Sequence, residues 1–138
     1  MKVIIHWDHK KGMDHTNLRF LYQYYDYTCR GFGMEPKDFA FVDLEGTLAI
    51  LKPPNPVFVS LEEALKHYYG NAPVYIHYDG KELLPKFNHP DKAVYIVGPN
   101  YDALRIPNGA LSVKIPVAWN DLWSHVALGI VLYDRVLQ

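Results

Sequence analysis

The stretch from Ala93 to Arg135 constrains the fold more than any other part of this sequence. A strand-like run, Ala93 to Val97, stops at Gly98-Pro99. A second run, Leu111 to Ile115, stops at Pro116, and an amphipathic segment then closes on Val131-Leu132-Tyr133-Asp134. Short apolar runs bounded by turn residues read as buried strands, and the longer periodic segment reads as a helix that must cover them. A layered α/β arrangement follows.

The rest of the chain repeats the alternation. Val3 to Trp7 is a first β-branched strand. Leu18, Leu21, Tyr22, Tyr25 and Cys29 recur at helical spacing and Gly31 stands where a left-handed stop belongs, so a first helix is expected from about Thr16 to Arg30. Phe39 to Val42 is a second strand. Gly46 and three prolines bracket Thr47 to Leu51, which reads as a short edge strand or an irregular insertion. Ser60-Leu61-Glu62-Glu63 has the pattern of a capping box and starts a helix reaching about Tyr69. Val74 to Ile76 is a further buried strand, followed by a polar loop from Asp79 to Asp91. Asn120 or Asp121 is placed to cap the last helix, with Trp123, Val126, Ala127, Ile130, Val131 and Leu137 on one face. A mostly parallel sheet flanked by helices is expected, in one domain covering residues 1–138.

Composition narrows the function classes. With 138 residues, 49% of them hydrophobic and 21% charged, the chain is long enough for one buried core and short for two. A net charge of −1 gives no general attraction to a polyanion, so any nucleic acid must be held by local clusters of Lys and Arg. Cys29 stands alone, which excludes an intrachain disulfide. No apolar run approaches the roughly 20 residues that span a bilayer, and the amino terminus reads as a strand rather than a signal peptide. A soluble, cytoplasmic protein with no membrane partner is the expectation.

The order Val97-Gly98-Pro99, Ile115-Pro116, then a closing helix resembles the carboxy-terminal half of the SPOUT class of RNA methyltransferases, particularly its small SpoU-like members. In that class a Phe-Gly-Pro-Glu turn, an Ile-Pro turn and a helix beginning near Ser-Leu-Asn are threaded into a trefoil knot that holds S-adenosylmethionine. The resemblance covers most of the chain. Val74 to Gly80 is similar to the strand and turn that contact the adenine, and the interval from Gly80 to Gly98 matches that of the small members. Arg19 corresponds to the arginine of the family's first motif, although the preceding Asn and Gly are not at their usual offsets. Asn100 stands where the turn glutamate is usual, and Asp121-Leu122-Trp123 replaces Ser-Leu-Asn in a loop about two residues shorter.

The resemblance implies an S-adenosylmethionine site formed by His77, Tyr78, Gly80, Val97, Gly98, Pro99, Ile115, Val117 and Leu122, largely through main-chain groups. It implies transfer of a methyl group to a ribose 2′-hydroxyl of tRNA or rRNA, with Arg19 as the catalytic residue. A guanidinium stays charged at any working pH, so Arg19 orients the substrate and stabilises charge rather than taking a proton. A homodimer through the first and last helices is implied too, and Tyr22, Tyr24, Tyr25 and Tyr27 are read as interface residues in preference to base-stacking ones. The rival reading is a dimeric binding domain that keeps the fold but has lost methyl transfer.

Two other constellations carry less. His6, Asp8, His9, Asp14 and His15 crowd the first loop, but their spacing matches no closed metal site, and no metal is expected. Asp121 and His125 stand four residues apart on the last helix and read as a surface interaction near its start.

Overall fold

In the computed structural model, residues 1–8, 17–100, 104–118 and 122–138 are described. His9, Asp14 and His15 of the first-loop cluster, and the candidate caps Asn120 and Asp121, lie outside them. Seven strands form one sheet: β1 (Lys2–His6), β2 (Phe39–Val42), β3 (Val57–Phe58), β4 (Ala72–Ile76), β5 (Glu82–Leu83), β6 (Ala93–Val97) and β7 (Leu111–Lys114). Their order is β3-β2-β1-β6-β4-β7-β5 and every pairing is parallel. The expected α/β fold with a parallel sheet is present.

Because successive strand side chains point to opposite faces, each central strand feeds two cores. Val3, Ile5, Phe39, Phe41, Val74, Ala93, Tyr95 and Val97 face helices α1 (Leu18–Gly31) and α3 (Ser124–Leu137). Ile4, Ala40, Val42, Tyr75, Val94 and Ile96 face α2 (Leu61–His67) together with Leu104, Ile106 and Ala110 of the β6–β7 connection. Burial on both faces explains why β2 and β6 are apolar at every position. The connection from β6 to β7 crosses β4 with no regular helix among its described residues, and its own apolar side chains do the covering.

Several local expectations change. The Thr47–Leu51 segment is a 3₁₀ turn, and the edge strand comes after it, at Val57–Phe58. Asp43 holds that turn by accepting from the amides of Gly46 (3.1 Å) and Leu48 (2.9 Å), while Trp7 donates its indole N–H to Thr47 Oγ1 (2.8 Å). Within the loop expected from Asp79 to Asp91, Glu82–Leu83 pairs with the end of β7. Ser60 caps α2 as expected, its Oγ accepting from the Glu63 amide (3.2 Å).

Helix α3 begins at Ser124, three residues beyond Asp121, and its buried side chains are Ala127, Leu128, Val131, Leu132 and Asp134. Trp123, Val126, Ile130 and Leu137, expected on the same face as Ala127 and Val131, are exposed instead. At the far end of α3, Asp134 hydrogen-bonds His89 Nε2 (2.7 Å), and His89 Nδ1 meets the Tyr95 hydroxyl (2.6 Å), which explains a buried carboxylate on an apolar face.

Candidate functional site

In an open parallel sheet the carboxyl ends of the strands leave main-chain groups and loops free to build a site. Ile76 is level with Val97 on one side and with Val113 on the other. The turns that begin at His77, Gly98 and Ile115 therefore emerge side by side from β4, β6 and β7, at strand spacings of about 4.8 Å. Seven of the nine residues assigned to a cofactor from sequence, His77, Tyr78, Gly80, Gly98, Pro99, Ile115 and Val117, lie on these turns, and Val97 ends β6. Leu122 lies two residues before Ser124, whose Oγ donates to the Gly98 carbonyl (2.6 Å). The turns meet at one edge.

Local packing explains why these residue types stand there. After β4, the His77 amide donates to Val113 O (3.1 Å), the Gly80 amide to His77 O (3.0 Å) and the Lys81 amide to Ser112 Oγ (2.9 Å). This folds Gly80 onto the backbone of β7, where an added Cβ would lie 2.4 Å from the Val113 carbonyl carbon. Only glycine fits. At Gly98 the nearest neighbour of an added Cβ is Leu104 Cγ, at 3.1 Å, so its small size also serves the packing of the β6–β7 connection. Tyr78 and Val117 remain exposed, at 46% and 41%. Ile115 packs partly against the core.

Beside these turns lies a polar cluster that sequence reasoning did not assemble. Asp8, just beyond β1, is 4% exposed. Its Oδ2 accepts from both the amide (2.8 Å) and the side-chain amide (2.7 Å) of Asn100, while Asn100 Oδ1 accepts from the Ser124 amide (2.7 Å). Asn100 thus caps α3 from a distant part of the chain, a role Trp123 at the N-cap does not fill with its own side chain. Asp8 and Asn100 are 92 positions apart, so neither spacing nor periodicity in the sequence links them.

Two histidines flank Asp8. His125, in the first turn of α3, stacks on Tyr24 (4.6 Å between ring centroids, 20°) and meets Tyr25 edge-on (6.0 Å, 84°). His6 ends β1. In both, burial pushes the imidazole below its ordinary pKa, and the nearby Asp8 carboxylate partly opposes this. Nδ1 of each ring is buried without a hydrogen-bond partner among the described residues. Burial, with Asp8 adding to it, pushes the Tyr25 phenol far up.

Arg19, the residue assigned to catalysis, is exposed in the first turn of α1. Both α1 and α3 follow strands whose carboxyl ends form this edge, and both cover the same sheet face, so Arg19 and His125 occupy first helical turns on one side of the site. The expected tyrosine patch divides. Tyr25 is wholly buried, and Tyr22 is half-buried with its hydroxyl on Asn55, its pKa pushed up to about 12 chiefly by burial. Tyr24 and Tyr27 alone of the four are exposed. Among the described residues no group of three or more His, Cys, Asp or Glu side chains is arranged to hold a metal.

No family model matches this sequence, and no curated protein matches it at a significant level. Solved structures do. A protein studied for 2-OH methylation of C/U34 on tRNA superposes with a TM-score of 0.71 at 15% identity, over 99% of this chain and 94% of that one. The SpoU methyltransferase AviRb from Streptomyces viridochromogenes, solved in complex with AdoMet, gives a TM-score of 0.67 at 14% identity over 100% of this chain and 60% of its own. TrmJ from Z. mobilis ZM4 gives 0.63 at 15% identity, over 96% and 67%. Shared backbone architecture at such low identity is a statement about fold. The chain has the fold of the SpoU RNA methyltransferases, which the order of its turns led us to expect.

Proposed function

We propose that this protein is an S-adenosylmethionine-dependent RNA methyltransferase acting on a ribose 2′-hydroxyl of tRNA or rRNA. The observation that carries the reading is the convergence of the His77–Gly80, Gly98–Pro99 and Ile115–Val117 turns at the carboxyl edge of three neighbouring strands. The groups present suit the ligand: exposed apolar side chains, Tyr78 and Val117, beside main-chain groups, as a flat neutral purine needs. His77, Tyr78, Gly80, Val97, Gly98, Pro99, Ile115, Val117 and Leu122 would hold it, and when bound it supplies an electrophilic methyl group. Arg19 would orient the RNA and stabilise its charge. That the fold neighbours include a SpoU methyltransferase in complex with AdoMet and a protein studied for tRNA methylation supports both ligand and substrate class.

In this reading the carboxy-terminal turns form a trefoil knot and the protein works as a homodimer. Phe20, Tyr24 and Tyr27 on α1, with Trp123 at the N-cap of α3 and Ile130, Tyr133 and Leu137 along it, leave an aromatic and aliphatic surface uncovered on two helices that pack together. A second copy covering it accounts for that exposure.

One observation favours the non-catalytic alternative. The amide and both polar side-chain atoms of Asn100 are engaged internally, with Asp8 and Ser124, so the side chain after Gly98-Pro99 is not free to contact RNA. Transfer of labelled methyl from S-adenosylmethionine to bulk small RNA decides between them. Wild-type protein should transfer it, and Arg19→Ala should transfer at least 100-fold less while binding S-adenosylmethionine with nearly wild-type affinity. Tight cofactor binding with no transfer by the wild type would establish the binding domain.

A further inference from the structure

Methylation of a hydroxyl forms a carbon–oxygen bond, breaks the carbon–sulfur bond of the sulfonium with its electron pair left on sulfur, and frees the hydroxyl proton. That proton needs an acceptor. Arg19, cationic at all working pH, cannot serve. We propose that His125 accepts the proton from the methylated hydroxyl and that Asp8 stabilises the imidazolium so formed, an assignment that rests on the methyltransferase reading.

Position supports this. His125 follows Ser124, which is bonded both to the Gly98 carbonyl and to Asn100, so its backbone is anchored to the turn expected to hold the cofactor. It stands in the first turn of α3, on the same sheet face as the first turn of α1 that carries Arg19. Strand alternation places His6 on the other face: Val3 and Ile5 point toward α1 and α3, Ile4 toward α2, and His6 continues the Ile4 series. The His125 ring is held by stacking on Tyr24 and by the edge of Tyr25, with Nδ1 buried and unpartnered among the described residues, so Nε2 is the nitrogen that takes the substrate proton.

The electrostatics fit an acceptor that reloads. Burial keeps the imidazole neutral at pH 7, ready to take a proton. Among the described residues, the groups facing it are Asp8 from the end of β1, Tyr24 and Tyr25 from α1, and Trp123 at the N-cap of α3, and Asp8 is the anion of this set. Its carboxylate is fixed by two hydrogen bonds from Asn100, so it supplies a preorganised counter-charge. The amino-terminal turn of a helix disfavours a cation, and the proton would pass on to solvent once the product leaves.

The test uses the whole chain with S-adenosylmethionine and bulk small RNA. Wild-type transfer should rise with pH through one break below the ordinary histidine range, and His125→Gln should lose that break along with about 100-fold or more of the rate. Cofactor affinity should not change. Titrating the His125 ring protons by NMR, with no cofactor present, should show Asp8→Asn moving the His125 pKa lower still, because the opposing anion is gone. A wild-type rate and pH profile in His125→Gln, or a break that disappears only in His6→Gln, overturns the assignment alone. So does a His125 titration indifferent to Asp8→Asn. Absence of transfer by the wild type overturns this assignment together with the methyltransferase reading.

Discussion

Asp8 and Asn100 show how much of this site depends on single side chains whose partners are remote in sequence. A glutamate at position 100 would set a second carboxylate against the buried Asp8, whereas the Asn found there donates to Asp8 and accepts from the Ser124 amide at the start of α3. The glycines separate by the same geometric logic. Gly80→Ala places a Cβ 2.4 Å from β7 backbone, whereas Gly98→Ala meets a movable leucine side chain at 3.1 Å and backbone no closer than 3.4 Å. Chemical denaturation should therefore show Gly80→Ala losing roughly 2 kcal/mol or more, and Gly98→Ala distinctly less.

The two histidines carry a pH signature. Their folded pKa values lie below the unfolded value near 6.5, so below that pH the unfolded chain binds more protons and stability falls until both native rings are also protonated. Thermal melting should show a decline as pH drops from about 7 through 6. The double variant His6→Gln/His125→Gln should flatten it. A melting temperature equally pH-dependent in the double variant would contradict the burial account.

Helices α1 and α3 are the elements whose existence the sequence made plain and whose faces it obscured. Apolar residues surround most of α3, so periodicity selected Trp123, Val126 and Ile130 together with Ala127 and Val131, although the structure buries only the latter pair with Leu128 and Leu132. A helix apolar on two sides has two things to cover. One is the sheet, and Leu132→Ala should cost about 2 to 5 kcal/mol in chemical denaturation. The other, in our reading, is a second copy. Sedimentation should find a dimer at micromolar concentration, and Tyr27→Glu/Ile130→Glu should be a folded monomer with unchanged secondary structure. The start of α3 differs from the local expectation for a related reason: its cap, Asn100, comes from 24 residues upstream, and local capping rules look only to neighbours.

Across the molecule, the five longer parallel strands and three helices could be read from apolar runs and turn residues because burial on both faces leaves continuous apolar stretches such as Ala93–Val97. The two-residue strands β3 and β5 could not, since a pair of residues carries no period. Strand order was equally hidden. The placement of β6 between β1 and β4 depends on which chain ends meet in space, and it is this order that brings the Gly98 turn, the His77–Gly80 turn and Asp8 to one edge. The turn residues of the candidate site were therefore legible one by one, while the Asp8–Asn100–His125 cluster, made by long-range contacts, was not.

Whether this edge binds S-adenosylmethionine is read out by calorimetric titration of the purified wild-type chain. Saturable binding of S-adenosylmethionine and of S-adenosylhomocysteine is expected, both weakened at least tenfold by Val117→Asp on the exposed rim of the site, with that variant still folding cooperatively. Absence of binding by the folded wild type, or equal affinity in Val117→Asp, would contradict it.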